Sequence, residues 1–202
     1  IDKVFHDDIK REAVFQIRRL ARYPSLIVWC GNNEMEEANW HWGYDKSLPF
    51  PDYALFHLIL PRLMKAEDPT RFYQPSSPFS LDHLDPNRPE TGDQHPWSVG
   101  FHNTDFRDYR KMIHRFPNEG GILGPTALKT VTECLPEGTK TLEDDGSRAA
   151  LAWETHENSI AHWAAIRPPD RMLEQWLGRK RPGMTIADWV YWGGIVQGEG
   201  LA

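Results

Sequence analysis

Four apolar residues in a row, Leu26-Ile27-Val28-Trp29, run without a break into Cys30-Gly31-Asn32-Asn33-Glu34. A short continuous apolar run of this kind reads as a strand buried on both faces of a parallel sheet. Its direct passage into two amides and a carboxylate sets polar groups at the strand's end. On the N-terminal side, Phe5, Ile9, Ala13, Ile17 and Leu20 recur at helical spacing among charged residues, which predicts an amphipathic helix over 2–22. Tyr23-Pro24 ends it, because a residue before proline disfavours helical backbone.

The same alternation continues. Residues 52–67 read as a helix that Pro61 kinks or restarts, and Asp68-Pro69-Thr70-Arg71 turns the chain into a second short strand, Phe72 to Gln74. A Pro/Asp/His-rich loop follows, with a third short strand near 91–93. A helix is expected over 105–114 and a fourth strand over Arg115-Phe116-Pro117-Asn118, again ending in a carboxylate, Glu119. Three further helices, near 125–135, 147–164 and 184–197, are joined by Pro/Gly-rich turns. Short strands alternating with helices imply βαβ units and a parallel sheet, either open and doubly wound or closed as a (β/α)8 barrel. No GxGxxG or phosphate loop follows any strand, which favours the barrel.

Composition narrows the partners. The net charge of −6 over 202 residues argues against nucleic acid. No apolar run approaches the ~18 residues of a membrane span. The Arg18-Arg19 and Arg179-Lys180-Arg181 clusters read as solvated helix faces, and Cys30 as a small buried hydrophobe. Compartment is left undetermined. The start at Ile1 rather than Met predicts a processed or excised piece. Nine Trp, several in polar loops, suit a groove for half-apolar ligands such as sugars as well as ordinary rim packing. Trp40, His41 and Trp42 carry both readings. The Asp82, His83 and Asp85 cluster fits no metal-ligand spacing and reads as a solvated loop.

Two expected strand ends deliver Asn-Glu: Asn33-Glu34 and, 85 residues on, Asn118-Glu119. In a barrel such residues share one face. Paired carboxyls across a cleft are the minimum equipment for glycoside hydrolysis, one protonating the leaving oxygen and the other attacking the anomeric carbon.

The blocks WCGNNE (29–34), DPTRFYQPSSP (68–78), GDQHPW (92–97) and RFPNEGG (115–121) occur in this order. Together they resemble the catalytic barrel of glycoside hydrolase family 2, in its β-mannosidase and exo-β-glucosaminidase-like branch. The resemblance covers residues 1–125 well and the mostly helical 126–202 loosely. It implies a partial (β/α)8 TIM barrel over 1–202, running from the helix after strand 3 to the helix after strand 7. The four strands so expected would have two open edges, covered by self-association or by the rest of a larger enzyme. The implied activity is that of a retaining, exo-acting β-glycosidase with a β-linked sugar substrate and no metal or organic cofactor. A non-catalytic, degenerate carbohydrate-binding barrel is the alternative.

By position, the resemblance makes Glu34 the acid/base, protonated at rest, and Glu119 the nucleophile. It makes Asn33 a contact to the substrate's 2-position. His95 and Trp97 fall among its substrate-contacting residues, although His95 could instead bond a loop carbonyl and Trp97 roof the barrel. Ser76 and Ser77 read as turn structure. One departure is Gly121, where the family usually has an aromatic residue after the nucleophile and its glycine.

Overall fold

The computed structural model describes residues 2–41, 53–82, 84–143, 145–163 and 168–202. The chain divides into two compact units, Ile1–His95 with His114–Asn118, and Pro96–Ile113 with Glu119–Ala202. No described helix is long and apolar enough to cross a membrane.

In the first unit the leading helix is α1 (Lys3–Leu20), capped by the Asp2 carboxylate, which accepts from Phe5 N–H. It buries Ile17, and its Arg18 makes a two-pronged bond to Glu67 (Nε–Oε2 2.6 Å, Nη2–Oε1 2.8 Å) at the end of α3 (Leu60–Glu67). A π-helical turn, Leu55–Ile59, leads into α3. Pro61 explains it: the ring has no N–H and crowds the carbonyl four residues back, so the turn before it widens, and Leu60 N–H reaches Leu55.

Strands β1 (Val28–Cys30) and β2 (Phe72–Gln74) pair in parallel, Val28 opposite Phe72 and Cys30 opposite Gln74. The expected strand therefore sits two residues later than its apolar run began. It is also less buried than expected, because the described sheet has two strands only. Ile27 is 63% exposed and Phe72 54%, and Cys30 is exposed rather than buried. The ladder nonetheless continues past both strands: Gly31 N–H bonds Gln74 O, Ser77 N–H bonds Asn32 O, and Glu34 N–H bonds Ser77 O at 2.7 Å. Gly31 is required there, since a Cβ would lie 2.4 Å from the Tyr73 hydroxyl and 2.6 Å from Pro75 O.

The strands expected at 91–93 and 115–118 reduce to one parallel bridge, Gln94 to Pro117. Pro117 has no N–H to extend a ladder, and Gly92 turns at φ 69°. Backbone bonds run from Gln94 N–H to Phe116 O (3.0 Å) and from Asn118 N–H to Gln94 O (3.2 Å), and the Gln94 side chain adds to them, its Oε1 accepting from Phe116 N–H and its Nε2 donating to Thr91 O.

The Asp68-Pro69-Thr70-Arg71 turn is a clasp on the sheet. Asp68 is buried and accepts from Trp29 Nε1 (2.9 Å), Arg71 Nη1 (2.7 Å) and Thr70 Oγ1 (3.0 Å), while Arg71 Nε donates to Leu26 O. These donors, Trp29 foremost, hold the Asp68 carboxyl below its ordinary value of 3.8. A lowered carboxylate contributes stability above that value and loses it as the pH falls through the folded-state value. Asp68→Asn is thus expected to lower the melting temperature at neutral pH. The deficit relative to wild type should close below pH 3.8, as thermal melts across a pH series would show.

The second unit is helical: α4 (Ser98–Phe101), a 3-10 turn at Phe106–Lys111, α5 (Leu128–Glu133), α6 (Arg148–Trp163), α7 (Pro168–Leu177) and α8 (Ile186–Leu201). Its core joins Val99, Ile122, Val131, Leu142, Leu173, Ile186, Trp189 and Val196. Helix α7 was not expected from the sequence, because Pro168-Pro169 resembles a breaker; proline is tolerated in a first helical turn. Arg181 is no solvated helix residue either. It is buried after α7, with Nε on Asp170 Oδ2 (2.9 Å) and Nη1 on Leu142 O (2.8 Å).

Candidate active site

Glu34 stands where the extended ladder stops, one residue before α2 (Met35–His41). Its φ is +58°, a left-handed conformation that costs a residue with a Cβ ~1–2 kcal/mol. Two backbone bonds hold it there: Glu34 N–H to Ser77 O, and Ala38 N–H to Glu34 O, each 2.7 Å. Asn32 finishes the turn, its Oδ1 accepting from Met35 N–H (3.2 Å) and Ser76 Oγ (2.7 Å). The first amide of WCGNNE is therefore a cap, whereas Asn33 takes part in a backbone bridge to Ser77.

The Glu34 carboxylate, 20% exposed, meets His95, whose side chain is 1% exposed: Oε1 to Nδ1 is 2.9 Å. The other ring nitrogen, Nε2, lies 2.9 Å from Ser77 Oγ, which also bonds Asp93 Oδ2. His95 thus bonds side chains at both nitrogens. Asn87 grips the same residue's backbone, accepting from His95 N–H (2.8 Å) and donating to His95 O (3.1 Å), and donates to Glu37 Oε1 at 2.7 Å. Burial pushes the Glu37 carboxyl up, and the neighbouring charge of Glu34 adds to the rise.

In the second unit, Trp97 Nε1 donates to Glu119 Oε1 at 2.9 Å. The two residues after Glu119 have φ of +149° (Gly120) and +146° (Gly121), backbone that only glycine adopts readily. Tyr109 fastens this stretch: its hydroxyl donates to Gly121 O (3.0 Å) and accepts from Gly121 N–H (3.2 Å). Burial pushes the Tyr109 hydroxyl pKa up, keeping it a donor.

Glu34 thus bonds His95, and Glu119 bonds Trp97. Over 138 residues the chain is 31% identical to Beta-mannosidase B of Neosartorya fischeri, covering 62% of this chain and 16% of that protein. Beta-mannosidase B of Aspergillus clavatus is 32% identical with the same coverage. That of Thermothelomyces thermophilus is 29% identical over 145 residues, 65% of this chain and 17% of the relative. The crystal structure of Beta-D-Mannosidase from Dictyoglomus thermophilum matches with a TM-score of 0.76 at 27% identity, over 100% of this chain and 23% of that one. The chain is β-mannosidase-like.

This β-mannosidase-like chain spans about 16% of the length of the curated relatives it matches. It matches no protein-family profile. Of the other sequence candidates, Trp40 is 52% exposed and His41 Nε2 lies 3.0 Å from Asp85 Oδ1. Asp82 accepts from Ser80 Oγ, Arg88 Nη2 and Leu84 N–H. Trp42 and His83 lie outside the described residues.

Of the residues hydrogen-bonded around Glu34 and His95, the sequence reading does not single out Asn87, Asp93 or Glu37, and it reads Ser77 as turn structure. One signal was available. Asp93 and His95 are two apart in an extended stretch, so their side chains share a side, and both reach Ser77.

The backbone at Glu34 gives a stability prediction. Glu34→Ala and Glu34→Gly both lose the bond to His95, but only glycine relieves the left-handed strain. Glu34→Gly is expected to be the more stable of the two by about 1 kcal/mol in chemical denaturation. Equal stability would mean that position 34 is not strained.

Proposed function

We propose that the protein carrying this chain is a retaining, exo-acting β-glycosidase of glycoside hydrolase family 2 that acts on β-mannosides. In this reading residues 1–202 belong to its (β/α)8 catalytic barrel, Glu34 is the acid/base, and Glu119 is the nucleophile. Asn33, His95 and Trp97 line the place of the sugar. The observation that carries the reading is Glu34 itself: a strained residue at a strand end whose carboxylate is presented by a buried histidine, in a chain similar to β-mannosidases.

The chemistry has two steps. Glu34 gives its proton to the glycosidic oxygen while a Glu119 oxygen bonds the anomeric carbon, and the aglycone leaves as an alcohol. Glu34, now a carboxylate, takes a proton from water as that water attacks the same carbon and Glu119 departs. No metal or organic cofactor enters either step. Where Ile27 and Phe72 leave the sheet faces open, other parts of the protein or a second copy would cover them.

A panel of aryl β-glycosides given to the intact protein tests the reading. Aryl β-mannosides are expected to be hydrolysed fastest, and NMR of the first sugar released is expected to show the β-anomer. Turnover of none of the panel, or release of the α-anomer, would sink it.

A further inference from the structure

The hydrogen-bond inventory around Ser77 fixes where protons lie. A hydroxyl has one proton to give and two lone pairs to receive. Asn118 Nδ2 donates to both Ser77 Oγ (2.9 Å) and Asp93 Oδ2 (2.8 Å), and Phe79 N–H donates to Asp93 Oδ1 (3.0 Å). A carboxylate can only accept, so the contact between Ser77 and Asp93 uses the hydroxyl's single proton. The remaining lone pair of Ser77 then faces His95 Nε2, which must carry a proton to bond it. On the far side of the ring, one further proton lies between Nδ1 and Glu34 Oε1.

We propose that Asp93 and Ser77 are positioning residues for the acid/base, acting through His95. The chain Asp93–Ser77–His95–Glu34 sets the ring's tautomer and rotation. It ties Glu34 Oε1 to Nδ1 through the proton those two atoms share, so in its acid form Glu34 carries a second proton, on Oε2, and that second proton is the one donated. The inference rests on the reading of Glu34 as the acid/base. When the Oε2–H bond breaks, its proton goes to the glycosidic oxygen. That oxygen keeps the electron pair of its broken bond to the anomeric carbon, and the alcohol leaves. The carboxylate left behind meets a donor already in place at Nδ1, so its new charge needs no reorganisation. Ser77, Asp93 and His95 are all buried, where such bonds are least exchanged with water.

Proton donation matters most for poor leaving groups, and that dependence separates positioning from general damage. In the intact protein, Ser77→Ala and Asp93→Asn are each expected to lower kcat/KM for phenyl β-mannoside about tenfold, the worth of one hydrogen bond. With dinitrophenyl β-mannoside, whose leaving group needs no proton, they should stay near wild type. Ser77→Thr keeps a hydroxyl and is expected to restore the phenyl substrate. Should Ser77→Ala not fold, Asp93→Asn carries the test, because it preserves shape and an acceptor for Phe79 N–H. Glu34→Ala is the reference. If it shows the leaving-group dependence while Ser77→Ala and Asp93→Asn slow both substrates equally, the positioning role is overturned and the acid/base reading survives. If Glu34→Ala shows no such dependence, both fall together.

Discussion

Glu119→Ala in the intact protein is expected to cut turnover of aryl β-mannosides by roughly 10⁴-fold or more, the scale on which removal of a catalytic nucleophile is felt. The loss should not come from unfolding. The bond from Trp97 Nε1 disappears with the side chain, a cost of about 1 kcal/mol, and melting temperature would report it. The alanine also leaves a gap on the face from which the carboxylate attacked. Azide added to the variant can fill that gap and bond the anomeric carbon from the same side, giving an α-glycosyl azide. That product, read by NMR, identifies Glu119 as the nucleophile. Undiminished hydrolysis by Glu119→Ala would remove the residue from the mechanism.

Glu34→Ala should give the next largest effect and a different signature. Loss of a general acid costs roughly 10²–10⁴-fold, but here only where the leaving group needs protonation. Attack by Glu119 is intact, so a dinitrophenyl substrate still forms the glycosyl-enzyme, and hydrolysis then stalls because no base activates water. Azide needs no base. It attacks the intermediate from the face opposite Glu119 and yields the β-glycosyl azide. The two variants therefore give azides of opposite anomeric form if the roles of the two glutamates are as proposed. Like anomers from both would show that the roles have been misassigned.

Features that depend on neighbours in sequence are legible in the sequence itself. A continuous apolar run located β1, and Asp68-Pro69-Thr70-Arg71 marked the entry to β2, because both signals are confined to a few adjacent residues. The bond between His95 and Glu34 is not legible in the sequence, where the resemblance places His95 only among substrate-contacting residues. Features that depend on distant partners were hidden. Arg181 looks like any basic residue until Asp170 and Leu142 O are placed around it. Ser77 passed as turn chemistry because its partners stand 16 and 18 residues away, and nothing local distinguishes it from Ser76. Cys30 was read as buried because burial of a strand depends on the strands beside it, and the described sheet has only two. The pairing at Gln94 and Pro117 is short because Pro117 has no N–H to extend it and Gly92 turns the chain, limits that a pattern of apolar residues does not encode.

The left-handed backbone at Glu34 has a practical consequence for directed evolution. Among replacements at position 34, a library screened for thermal tolerance alone would favour glycine over residues with a Cβ, since only glycine relaxes the chain at a point of stored strain. Clones recovered in this way would be robust and unable to protonate a leaving group. A campaign to harden the protein should therefore hold position 34 fixed, or score turnover of a phenyl glycoside alongside survival.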